Sequence, residues 1–202
     1  MVAYNLVHHW SMRPQLATYT SYVLMLALLH WCFQGWQGRW YFTHSPSDIS
    51  YSSKRLRCLW GLPVLMFVWA NSHGGFVAGY CIFVAYIGLR GVELLINWGR
   101  GSFGMLRRLT MMVVASGLAT LINPYGPGLH GWLIQSLGRP RPEIIEWHAP
   151  DMMSTVMIPL WVIMFSWFAV MLLTKRSRDV THMVILLLTL WQTLSHVRHS
   201  RC

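Results

Sequence analysis

The chain has 202 residues, 54% hydrophobic and 11% charged. A soluble domain carries about 25% charged residues, so this composition excludes an ordinary soluble fold and points to an integral membrane protein. The net charge of +10 suggests nucleic acid at first, but the basic residues fall in short clusters between apolar runs. Cytoplasmic anchors of membrane helices have that pattern, and no nucleic-acid partner is expected.

A transmembrane helix needs about 20 apolar residues, fewer where the membrane is thin or the ends are wet. Six segments qualify as candidates: 16–35, 58–70, 76–97, 109–122, 156–173 and 183–195. The second, fourth and sixth are short, each covering only about 20 Å at helical rise. Short spans with polar ends fit a water-filled recess or a short core helix.

The first span opens with "MRPQLATYTSYVL". Pro14 suits a first helical turn, with Arg13 just outside it. A basic loop follows, holding Arg39, Lys54, Arg55 and Arg57 against Asp48. Between the second and third spans stands "WANSHGGFVAG", residues 69–79, an amide, a hydroxyl, an imidazole and two glycines inside an oily run. Polar groups in hydrocarbon cost several kcal/mol unless paired or wet (about 2–7 kcal/mol). One reading is a plain hairpin turn, with Gly74 and Gly75 allowing positive φ and close backbone approach. The other has Asn71 and His73 facing a ligand.

Segment 98–108 carries Arg100, Arg107 and Arg108, with Arg90 and Glu93 just before it. "INPYGPGLHG", 122–131, ends the fourth span. Pro124 and Pro127 are expected to stop the helix, and three glycines to loosen the exit. Tyr125 fits an aromatic belt as well as a ligand contact. The long connection that follows contains "RPEIIEWHAPD", 141–151. Glu146, His148 and Asp151 suit proton transfer, and Trp147 offers a flat face for a sugar; a solvated Pro-rich loop is the plain alternative. Loop 174–182 is basic again, with Lys175, Arg176 and Arg178 beside Asp179. The chain closes on "SHVRHSRC". His196 and His199 share a helical face there, and Arg198 suits an oxyanion; a frayed basic tail is the alternative.

The three basic connections alternate with the others, which makes them cytoplasmic and puts both chain ends outside. Seven of the ten histidines then fall outside: 8, 9, 73, 130, 148, 196 and 199. Cys32, Cys58, Cys81 and Cys202 form no CxxC pair, so neither a disulfide framework nor a zinc site is indicated. No metal or other cofactor is expected. A signal peptide, an internal repeat, and Walker A, GxGxxG, HExxH and GxSxG motifs are not found in the sequence.

In combination, "RPQL-x-TY", "WAN-x-HGGFV-x-G", "ATLINPYG", "EW" and "RH", in that order from Arg13 to His199, are familiar. They resemble a group of bacterial multi-span membrane proteins of the GT-C glycosyltransferase superfamily, of the family 39 and lipopolysaccharide-core transferase type. The resemblance implies transfer of a sugar from a polyprenyl-phosphate donor to a cell-envelope acceptor, on the periplasmic side of the inner membrane. It implies Arg13, Asn71, His73 and Arg198 near the donor phosphate, with Asn123, Tyr125, Trp147 and His199 as further substrate contacts. Glu146, in the matched "EW", would deprotonate the acceptor hydroxyl, and His73 joins it as a catalytic candidate. The family usually carries its acidic catalytic residue in a first large external loop and continues past "RH" with an apolar run. Neither feature is present here. The chain is therefore expected to be a part of such an enzyme or a reduced member that needs a membrane partner.

The expected architecture is an all-α, polytopic membrane bundle of about six spans with a GT-C-like core, one transmembrane domain over residues 1–202. Two other functions stand beside the transferase: a non-catalytic membrane subunit, and an outer-face metal or haem site built from His73, His148, His196 and His199.

Overall fold

The computed structural model describes residues 15–34, 36, 52–137, 153, 155, 158–173 and 179–198. Among them the architecture is all-α, without strands. The helices are α1 (Gln15–Cys32), α2 (Ser53–Arg57), α3 (Gly61–Ser72), α4 (Phe76–Trp98), α5 (Phe103–Thr120), α6 (Pro127–Leu137), α7 (Ile158–Leu173) and α8 (Val180–Arg198). Short 3-10 turns, Cys58–Trp60 and Gly99–Ser102, lead into α3 and α5.

Two compact units result. The first comprises Pro14–Gly138 with Arg178–Ile185. In it α1, α3, α4 and α5 run alternately up and down, and α3 packs most extensively on α5. Leu62, Met66, Trp69, Phe76, Phe83, Leu94 and Leu109 are at or near zero exposure in its core. The second unit holds α7 and the later part of α8. Within α7 the Trp161 and Phe165 rings lie one turn apart, their centroids separated by 6.1 Å.

The helices cover all six apolar segments, with corrections at their ends. The fourth and sixth are not thirteen or fourteen residues long: α5 has 18 and α8 has 19. α5 begins before Arg107 and Arg108 because the buried face continues through them, with Met105, Leu109 and Met112 inside and the two arginines exposed. α8 begins at Val180 because Asp179 caps it: Oδ1 accepts the Thr181 N–H at 2.9 Å. Pro124 lies beyond the end of α5, but Pro127 opens α6 inside what reads as a loop, at the first helical position, where its missing N–H costs nothing. The continuous helical run Phe76–Thr120, holding α4, the 3-10 turn and α5, is the one segment among the described residues long and apolar enough to cross a membrane. Shorter apolar helices cover Leu16–Cys32, Trp161–Val170 and Val180–Trp191.

Candidate functional site

"WANSHGGFVAG" is a helical hairpin. α3 continues through Asn71 and Ser72, so those two are not in the turn. Their side chains bond back to the helix: Asn71 Nδ2 donates to the Phe67 carbonyl at 2.8 Å and Ser72 Oγ to the Val68 carbonyl at 2.7 Å. Asn71 Nδ2 also donates to the Ile122 carbonyl at 2.8 Å, just past the end of α5. That oxygen has no partner within a helix, so Asn71 both satisfies it and ties α3 to α5.

His73 is extended, Gly75 caps α4, and neither Gly74 nor Gly75 has positive φ. The glycines are there for close approach instead. A Cβ on Gly75 would stand 2.5 Å from Thr18 Oγ1 and 3.1 Å from His73 Nδ1; one on Gly74 would meet Leu133 Cδ2 at 3.1 Å. At the far end of the motif the buried Trp69 ring lies against Gly79, with Cζ2 3.0 Å from where a Cβ would sit.

Three side chains and one backbone amide converge here. Trp69 Nε1–H donates to Thr18 Oγ1 at 3.1 Å. Thr18 Oγ1 and His73 Nδ1 are 2.8 Å apart, and the Gly75 N–H donates to the same Nδ1 at 3.0 Å. His73 Nε2 has no hydrogen-bond partner among the described residues, and the ring is half-buried.

The neighbouring turn organises itself. Asn123 Oδ1 accepts the Tyr125 N–H at 2.8 Å, and its Nδ2 donates to the Thr120 carbonyl at 2.9 Å and the Gly126 carbonyl at 3.2 Å. Gly126, at φ +53°, closes the turn in a conformation that suits glycine. Tyr125 projects outward, 75% exposed. From α6, His130 Nε2–H donates to Thr120 Oγ1 at 2.9 Å, since that hydroxyl spends its own hydrogen on the Gly117 carbonyl at 2.7 Å. The His130 ring meets Phe76 edge-on at 5.4 Å.

The structure thus brings Asn71 and His73 to one end of the first unit, together with Asn123 and Tyr125. Sequence reading passed over Thr18, whose partner Trp69 lies 51 positions away on another helix. Arg13, Glu146, Trp147 and His199 lie outside the described residues, as do Glu143, His148 and Asp151. Arg198 ends α8. Of the four histidines expected to hold a metal or haem, only His73 has a described side chain, and among the described residues no group of three metal-ligand side chains occurs.

The opposite end of the unit holds its charge. Lys54, Arg57, Arg100, Arg107 and Arg108 are exposed there. Arg55 donates to the Gln34 carbonyl at 3.4 Å and stacks on Trp31 at 5.0 Å. Deeper in, Arg90 and Glu93 are fully buried. Arg90 Nη1 donates to Glu93 Oε2 at 3.0 Å and to Asp179 Oδ1 at 3.2 Å; Nη2 donates to Asp179 Oδ2 and to Tyr86 Oη, the latter at 3.2 Å. Phe33, Trp36 and Tyr86 present their rings to the guanidinium at 5.3, 5.8 and 5.2 Å. The Tyr86 hydroxyl and His182 Nε2 are 3.3 Å apart, and His182 Nδ1 faces Asp179 Oδ2 at 3.5 Å. Sequence reading noted Arg90 and Glu93 only as flanking charges; an i, i+3 ion pair inside an apolar run was the signal to follow.

Among the described residues these features define an antiparallel helical unit with one end polar and free of formal charge and the other basic. Comparison of the chain with protein-family models, with curated proteins and with solved structures finds no match.

Proposed function

We propose that the chain is a polytopic membrane bundle of about six spans with a GT-C-like core, whose uncharged polar end binds the headgroup of a polyprenyl-phosphate sugar on the periplasmic face of a bacterial inner membrane. The observation that carries this reading is His73, a half-buried imidazole with one edge bound and the other unpartnered among the described residues. An open imidazole edge at a helix-hairpin tip is suited to a ligand oxygen. Charge segregation supports the orientation, since basic side chains favour the cytoplasmic side. Val64, Phe67 and Val68 on α3 and Val114 and Leu118 on α5 are exposed apolar side chains that suit lipid.

In this reading Asn71 and Asn123, whose amides are occupied by backbone groups, shape the site, and His73 and Tyr125 meet the ligand. The sequence resemblance adds Arg13 and Arg198 as phosphate contacts and Trp147 and His199 as sugar contacts. By the same resemblance, Glu146 takes the acceptor's hydroxyl proton as the acceptor oxygen bonds the sugar's anomeric carbon, and the lipid phosphate leaves with the electrons of the broken carbon–oxygen bond. A second reading, a subunit that binds without transferring, is favoured by one observation: among the described residues the uncharged end has no carboxylate, since Glu93 and Asp179 both lie at the other.

Titration of the detergent-purified protein with a polyprenyl-phosphate sugar, with product followed in the same tube, separates the two. His73→Ala is expected to weaken binding about tenfold, the loss of one hydrogen bond to a charged group. Glu146→Gln is expected to bind normally and form no product. Binding by the wild type without product selects the second reading, and no binding by the wild type rejects both.

The orientation has its own check. In a background with the native cysteines replaced by serine, Tyr125→Cys should react with an impermeant thiol reagent on intact cells. Arg107→Cys should react only after the membrane is opened. The reverse pattern would invert the topology.

A further inference from the structure

His73 is bound on one side only, and the chemistry of that side fixes the other. The Gly75 N–H is a pure donor, and it points at Nδ1 from 3.0 Å. A hydrogen on Nδ1 would face it head-on. Thr18 Oγ1 already accepts the Trp69 Nε1–H, which leaves the hydroxyl hydrogen free to go to Nδ1 at 2.8 Å. Two donors therefore converge on Nδ1, and in the neutral ring the hydrogen resides on Nε2. Close packing holds the arrangement, since even a Cβ on Gly75 would stand 2.5 Å from Thr18 Oγ1 and 2.8 Å from Thr18 Cγ2.

We propose that Thr18 and the Gly75 amide lock His73 as a hydrogen-bond donor, so that Nε2–H meets an oxygen of the ligand, a phosphoryl or sugar hydroxyl oxygen. His73 then binds and orients and does not remove a proton, because the ring atom that faces the ligand already carries one. Thr18 is a positioning residue. The ligand part of this proposal rests on the function proposed above; the tautomer does not.

The first experiment needs no ligand. Nitrogen NMR of detergent-solubilised protein labelled with 15N-histidine, in mildly alkaline buffer, reads the neutral tautomer directly, with His73→Gln identifying the signals. A pyridine-type Nδ1 and a pyrrole-type Nε2 are expected; a pyrrole-type Nδ1 overturns the proposal. The second uses side chains that copy one edge each. Glutamine at 73 places an amide N–H near the position of Nε2–H, whereas asparagine keeps only an acceptor near Nδ1. His73→Gln is expected to bind a short-chain polyprenyl-phosphate sugar within about threefold of wild type, and His73→Asn to lose about tenfold, one hydrogen bond. Binding kept by asparagine and lost by glutamine overturns the donor role. Thr18→Val should move the His73 ring signals and weaken binding while Thr18→Ser restores both; unmoved signals in Thr18→Val remove Thr18 from the device. If the wild type binds no probe, the functional reading fails, and the NMR result still decides the tautomer.

Discussion

Arg90→Met is expected to be the most damaging single substitution at the basic end, lowering stability by about 3–5 kcal/mol. The arginine is fully buried and is the shared partner of Glu93 and Asp179. Removing it leaves two carboxylates close together with no cation between them. Methionine keeps most of the volume against Phe33, Trp36 and Tyr86, so the loss reports charge rather than a cavity. The distinguishing measurement is a cycle of thermal melts on detergent-purified protein. Arg90→Met combined with Glu93→Gln and Asp179→Asn should melt well above Arg90→Met alone, because neutral groups no longer repel in a poorly solvated site. A triple variant that melts as low as the single one, or lower, would show that the network is not held by its charges.

A comparable effect is expected at the other end of the same helix. Gly79→Ala places a methyl group inside the Trp69 ring, at contacts that cannot exist without movement. Trp69 is fully buried, pinned by its bond to Thr18 and set edge-on to Tyr22 at 6.4 Å. A rigid bicycle held at both ends cannot turn aside as a flexible side chain would. Overpacking costs typically about 1–3 kcal/mol, and the upper part of that range is expected. Pairing Gly79→Ala with Trp69→Phe, which removes the second ring, should cost less than the sum of the two single changes. Strict additivity would indicate that the glycine is there for another reason.

The apolar runs made the helices legible, because continuous hydrophobicity of that length leaves few alternatives. They did not make the ends legible. The start of α5 was hidden by Arg107 and Arg108, which interrupt the apolar run but not its buried stripe of Met105, Leu109 and Met112. Periodicity would have shown it where mean polarity did not. Asp179 read as one loop charge among several; its position two residues before Thr181 is that of a helix cap, and only the fold reveals that Arg90 holds the same carboxylate. In "WANSHGGFVAG" the glycines were read rightly as permitting close approach and wrongly as candidates for positive φ. What approaches them, Thr18 from another helix and Trp69 from the start of the motif, is tertiary information that no local pattern contains. Asn71 and Asn123 carry a second role that the sequence does not show. A polar residue at a helix end invites a ligand reading, and here both amide groups also donate to carbonyls at or just past the end of α5.

The Arg90 network also carries a schedule. Glu93 lies one turn along the same helix, so the guanidinium gains a counter-ion as soon as that stretch of α4 coils. Asp179 is 89 positions later and reaches the ribosome's exit long after α4 has left it. The nascent chain therefore carries a self-neutralised pair first and receives its second carboxylate only after those 89 further positions are made. With that arrival the same aspartate both grips the arginine and starts α8, so α8 is nucleated where α4 is already in place.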